Sequence, residues 1–176
     1  AALAYHFGRA GDEDREARYT SLAGDHAVRN GAQIEGILQL ERALTLREAK
    51  GASSLERAAL HRKIGAARFY EGQFDAATIH FEKSLSLLDQ KLPTHRNGWA
   101  LFVVAQLVAF VWIRVAGRNA SHDPEPHAER SAAAVRLSLA RVFRLDDLPV
   151  LGLGLLGATE AERAGRPDPR ALGILA

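Results

Sequence analysis

Cysteine is absent from this 176-residue chain, and so is methionine. Without cysteine there is no disulfide framework, no thiolate metal site and no thiol nucleophile. That composition fits a reducing compartment, and the expected setting is the cytoplasm. Without methionine there is no initiator residue. The chain opens inside a helical pattern at Ala1-Ala2-Leu3-Ala4-Tyr5 and stops at Ile174-Leu175-Ala176, so it reads as an internal piece of a longer protein. Dense blocks of one charge are missing as well. Lys+Arg total 23 against 21 Asp+Glu, mixed along the chain, for a formal net charge of +2. The pI is near 9.2, but no basic stripe offers a nucleic-acid footprint, and no nucleic-acid partner is expected. No charged-then-apolar leader is visible at the N-terminus. Alternating β-branched segments are scarce.

What is abundant is Ala, Leu, Arg and Glu, all good helix formers. The periodicity is helical throughout. Helices are expected over 1–9, 14–30, 33–50, 53–71, 74–89, 98–116, 127–144 and from 147 to about 165. Gly31, Gly51 and Gly72 stop three of them. Asp12 or Asp14 can cap the second, and Glu13 and Glu16 suit its positive end. Ser53 and Glu56 have the spacing of a capping box. Pro93 closes the first set of helices. Gly117 to Pro126 reads as a loop, Pro149 suits a first helical turn, and Pro167 and Pro169 mark a final break. In the third helix Ile34, Ile37, Leu38, Glu41 and Leu44 fall on one stripe that Leu40 and Ala43 widen, which calls for neighbours on two sides.

An internal repeat is present. The stretch from Gly24 aligns with that from Gly65: Gly24 with Gly65, Gly31 with Gly72, Gly36 with Ala77, Leu40 with Phe81, Ala43 with Ser84, and Leu44 with Leu85. A tetratricopeptide repeat needs these sizes. A small residue lets two helices approach, a glycine makes the turn, and a large apolar residue fills the space between helices. Arg68 stands where an aromatic is usual, with Phe69 and Tyr70 directly after it, and Gln33 replaces the aromatic after the first turn. The expected fold is all-α, a tetratricopeptide-like right-handed superhelix of antiparallel helix hairpins. Residues 1–93 would form the N-terminal repeats. Residues 94–176 would continue the same solenoid, with a long apolar helix at 98–116.

The segment AYHFGRAGDEDREARYTSLAGDHAVRNGAQIEGILQLERALTL resembles the helical-repeat region of large bacterial multidomain signalling ATPases. The later LDQKLP, the long apolar helix and EAERAG are similar to the same family further along. These proteins carry a cyclase, a kinase or a transcription-regulator module. The resemblance implies a protein-interaction scaffold that relays or regulates the activity of neighbouring domains. It brings no catalytic motif into this chain, so no enzyme activity and no cofactor are expected here, and any ATPase or cyclase domain would lie outside it.

In such repeats the first helix of each pair lines a concave groove. By that spacing Asp25, Arg29, Arg62, Phe69 and Tyr70 are candidate contacts for a protein, a peptide or another domain of the same chain. Three other features compete for attention. Gly152-Leu153-Gly154-Leu155-Leu156-Gly157 has the letters of a dinucleotide fingerprint, but a helical pattern precedes it and no βαβ unit can follow. Close helix packing explains these glycines better, with a nucleotide-binding segment as the alternative. His122, Asp123, Glu125, His127 and Glu129 lack a metal-ligand spacing and read as loop and helix-start chemistry. Trp99 to Ala116 is interrupted only by Gln106 and Arg114. It is expected to be the covered centre of the stack, with Trp99 and Trp112 shielded and Arg114 reaching solvent or a carboxylate. A membrane-associated helix is the competing reading.

Overall fold

The computed structural model describes residues 2–116 and 121–165. Among them it forms eight α-helices and no strand: α1 Ala2–Arg9, α2 Glu13–Arg29, α3 Gln33–Ala49, α4 Ser54–Tyr70, α5 Phe74–Leu87, α6 Arg96–Ala116, α7 Pro124–Val142 and α8 Asp147–Arg163. The chain divides into two compact units, Ala1–Leu87 and Leu88–Ala176.

Local chemistry sets the ends in the first unit. The Asp12 side chain accepts from the Arg15 N–H at 3.1 Å and caps α2. Ser53 and Glu56 form the full capping box of α4, each side chain accepting from the other residue's backbone N–H. Gly31 and Gly72 take left-handed φ values of 82° and 78°. That conformation turns the next N–H back onto the helix. Ala32 donates to the Ala27 carbonyl at 2.9 Å and Gln73 to that of Arg68 at 2.9 Å. Both are the long-range bond of a Schellman motif, and a side chain at either glycine would be strained.

The aligned residues make equivalent contacts. A Cβ added at Gly24 would lie 2.7 Å from Leu40 Cγ, and one added at Gly65 would lie 2.8 Å from the Phe81 ring. In each hairpin, α2 with α3 and α4 with α5, a glycine on the first helix lets a large residue of the second lie against its backbone. Leu40, Phe81, Ala43, Ala77, Ser84 and Leu85 are all fully buried. Ser84 Oγ is satisfied by donating to the Ala58 carbonyl at 2.9 Å, which removes most of the cost of burying a hydroxyl. Leu40, Ala43, Leu44, Leu60 and Ile64 join the hairpins through α3 and α4. Thus α3 does have neighbours on two sides, although Ile34 and Leu38 of its expected stripe are exposed.

In the second unit α6 and α7 both pack on α8. Here the sequence expectation needs correcting. The covered helix is α8, where every residue from Gly152 to Glu162 is buried. In α6 only Trp99 is buried, and Trp112 is 70% exposed. The reason is side-chain size. Gly152 admits the Phe102 ring, to within 2.9 Å of where its Cβ would be, and Gly157 admits Val135 Cγ2 to within 2.7 Å. Small residues on α8 therefore allow a helix on each side. Among the described helices, α6 packs closely on α8 alone and leaves its other faces uncovered. Ser131 and Ser138 of α7 donate to the carbonyls of Gly157 and Val150 at 2.8 and 2.9 Å.

Some boundaries also differ. α5 ends at Leu87 because Asp89 turns left-handed, with φ 60°. α6 begins at Arg96, earlier than expected, and α7 begins at Pro124, so the expected loop ends sooner. Residues 117–120 of that loop, and the break at Pro167 and Pro169, lie outside the described residues.

Candidate functional site

The first unit carries an open cavity of about 250 Å³ between α2 and α4. Its lining follows helical spacing on both walls. Arg18, Ser21, Leu22 and Asp25 lie on one face of α2, and Glu56, Ala59, Leu60 and Lys63 on one face of α4. Residues three and four apart share a helix face, so each helix offers one continuous strip. The floor is apolar, from Ala17, Ala59 and Leu60, with Leu22 half-exposed at 51%.

Charge frames the cavity. Lys63 Nζ donates to Asp25 Oδ2 at 2.7 Å, and both side chains are partly buried. This pair ties α4 to α2 across the cavity. Arg47, reaching in from α3, holds Asp14 loosely at 3.5 Å. Arg18 is exposed. The cavity thus combines an apolar floor with charges of both signs, Arg18, Arg47 and Lys63 beside Asp25 and Glu56.

The five candidate contacts are distributed unequally. Asp25 lines the cavity. Arg29 is exposed in the last turn of α2, and Arg62 is half-buried on α4, neither of them in the lining. Phe69 and Tyr70 sit at the end of α4. Phe69 meets the Phe74 ring edge-on, with centroids 5.3 Å apart, and the Tyr70 ring at 6.0 Å. Tyr70 is 64% exposed. Sequence reasoning missed Arg18, Leu22, Leu60 and Lys63. The spacing 18, 21, 22, 25 on α2 and 56, 59, 60, 63 on α4 was the signal that could have found them.

The competing features take other places. The glycines of Gly152 to Gly157 lie inside the uninterrupted helix α8, with no loop to wrap a phosphate. His127 Nδ1 lies 2.6 Å from Glu160 Oε2. Arg130 and Arg163 also donate to this buried carboxylate, at 3.3 and 2.7 Å. Arg114 Nη2 donates to Glu162 at 3.1 Å and stays half-exposed, the carboxylate contact expected for it. Leu101, Val104, Val108, Trp112 and Val115 form an exposed apolar face on α6. By length and composition α6 is the one helix among the described residues able to cross a membrane.

Compared with known proteins, the chain matches no family model, no curated protein and no solved structure.

Proposed function

We propose that this chain is a protein-interaction scaffold of the tetratricopeptide type, a regulatory module of a larger cytoplasmic signalling protein. Its hairpins would stack in the right-handed sense of such repeats, and its output would be the activity of neighbouring domains. The observation that carries the reading is the α2–α4 cavity. The first helices of two successive hairpins stand side by side and present matched strips of side chains. The equivalent contacts of Gly24 with Leu40 and of Gly65 with Phe81 support the repeat assignment. The ligand would be a peptide segment, from another protein or another domain of the parent chain. It would place an apolar side chain against Leu22 and Leu60 and a carboxylate near Arg18 and Arg47.

Selection from a random-peptide display library tests this. Enriched peptides should pair an acidic with an apolar residue. Their affinity should fall at least tenfold in Arg18→Glu and in Leu22→Ser, both on the exposed rim. Peptides that bind both variants as well as the parent chain would place the binding surface elsewhere, and a selection that yields no enriched sequence would speak against a peptide groove.

The exposed face of α6 favours a second reading, a helical module that meets a lipid surface. The helix has 21 residues, near the roughly 20 needed to span a hydrocarbon core. Flotation with phospholipid vesicles separates the readings. Co-flotation lost in Val108→Asp would support lipid contact, and a chain that stays in the aqueous fraction would remove it.

A further inference from the structure

His61 of α4 and His80 of α5 lie outside the cavity and face each other across the hairpin. Their Nδ1 atoms are 3.1 Å apart, and the ring centroids are 5.2 Å apart with the planes tilted by 42°. Both side chains are half-buried. Two nitrogens binding one metal ion at the usual 2.0–2.1 Å are about 3.3 Å apart in tetrahedral geometry and about 2.9 Å apart at a right angle. The observed separation falls between these values. Two imidazole nitrogens also match the ligand preference of zinc, nickel and copper.

We propose that His61 and His80 form a two-ligand site for a divalent transition-metal ion, bound between their Nδ1 atoms and clamping α4 to α5. In the metal-free hairpin one Nδ1 carries a proton and donates it to the other. For metal to bind, that ring takes up a proton at Nε2 as it loses the one at Nδ1, so both rings stay neutral with no net proton released. Burial keeps the rings neutral, the ligating form, and disfavours the imidazolium at both. The charged groups that act on the pair are Glu41 and Glu48 of α3, Arg57 and Arg68 of α4, and Lys83 of α5. Glu41 is held by Arg68. No group of three or more His, Asp or Glu suited to a metal occurs among the described residues. The remaining coordination positions are therefore left to water or to a donor from a binding partner, and affinity should be moderate.

The test is zinc chloride titrated into the 176-residue chain without a histidine tag, followed by calorimetry and by ring-nitrogen NMR. One ion per chain should bind, the Nδ1 signals of both His61 and His80 should move, and the melting temperature should rise with zinc. His61→Asn and His80→Asn keep a polar group at the same reach, and each should weaken binding at least tenfold. Zinc that leaves either ring nitrogen unmoved in the parent chain would overturn the proposal, whether or not the variants fold. An isotherm unchanged in two folded variants would overturn it too.

Discussion

Replacing Gly65 by alanine probes the contact on which the second hairpin is built. The new Cβ would lie 2.8 Å from Phe81 Cε1, 2.9 Å from Cδ1 and 3.2 Å from the Ala77 carbonyl oxygen. The Phe81 ring is fully buried, so it withdraws only by displacing packed neighbours. Overpacking of this kind costs about 1–3 kcal/mol, while alanine in place of glycine in a helix returns about 1 kcal/mol. Phe81→Ala removes the ring and costs about 3–5 kcal/mol by itself. The two shortest contacts then have no partner and only the 3.2 Å approach to the Ala77 carbonyl remains, so Gly65→Ala in that background should be close to neutral, within about 1 kcal/mol. The two substitutions should therefore couple by about 1–3 kcal/mol. Urea unfolding followed by far-UV circular dichroism measures all four proteins, in equal stabilising osmolyte so that the weakest stays folded. Additive effects would refute the close approach of α4 to α5 at this glycine.

Glu160→Ala should destabilise the second unit by about 1.5–3 kcal/mol, because Arg130, Arg163 and His127 lose the buried carboxylate they share while keeping some access to water; a melting temperature that does not move would contradict that network. Ser53→Ala should cost about 1 kcal/mol through loss of the capping box, read as a lower urea midpoint with unchanged slope. The His80 pKa is lowered from 6.5 to about 4, chiefly by burial and then by His61 and Arg68. A neutral folded histidine and a protonated unfolded one make stability complete above pH 6.5 and decreasing as the pH falls toward 4. In chelator-treated buffer His80→Asn should flatten that part of the melting-temperature profile, and parallel profiles would remove His80 as a cause.

Much of the first unit could be read from the sequence because its signals are local. Gly31 and Gly72 mark turns that need a left-handed residue, and Ser53 with Glu56 announces a helix start. Gly65 and Phe81 could be paired because the repeat supplies their relation. The second unit was harder for a physical reason. The hydrophobicity of α6 reads as a covered helix, yet only Trp99 is buried there, whereas the small residues that place α8 at the centre read as poor helix formers. Spacing marks each strip of the groove, but which strips meet, and the histidine pair, depend on the register between neighbouring helices. His61 and His80 meet only because α4 and α5 cross where they do, and no spacing within either helix encodes it.

The side-by-side placement of α2 and α4 underlies the whole functional reading, and zero-length carbodiimide coupling tests it most directly. The reagent joins an amine to a carboxylate only where the two are already in contact. The lysines are Lys50, Lys63, Lys83 and Lys91, few enough for every linked peptide to be assigned by mass spectrometry. With Lys63 Nζ 2.7 Å from Asp25 and Lys50 Nζ 3.1 Å from Asp14, the account predicts Lys63–Asp25 and Lys50–Asp14 links within single chains. Lys63 coupled to other carboxylates, with Asp25 left unmodified by any lysine, would contradict it.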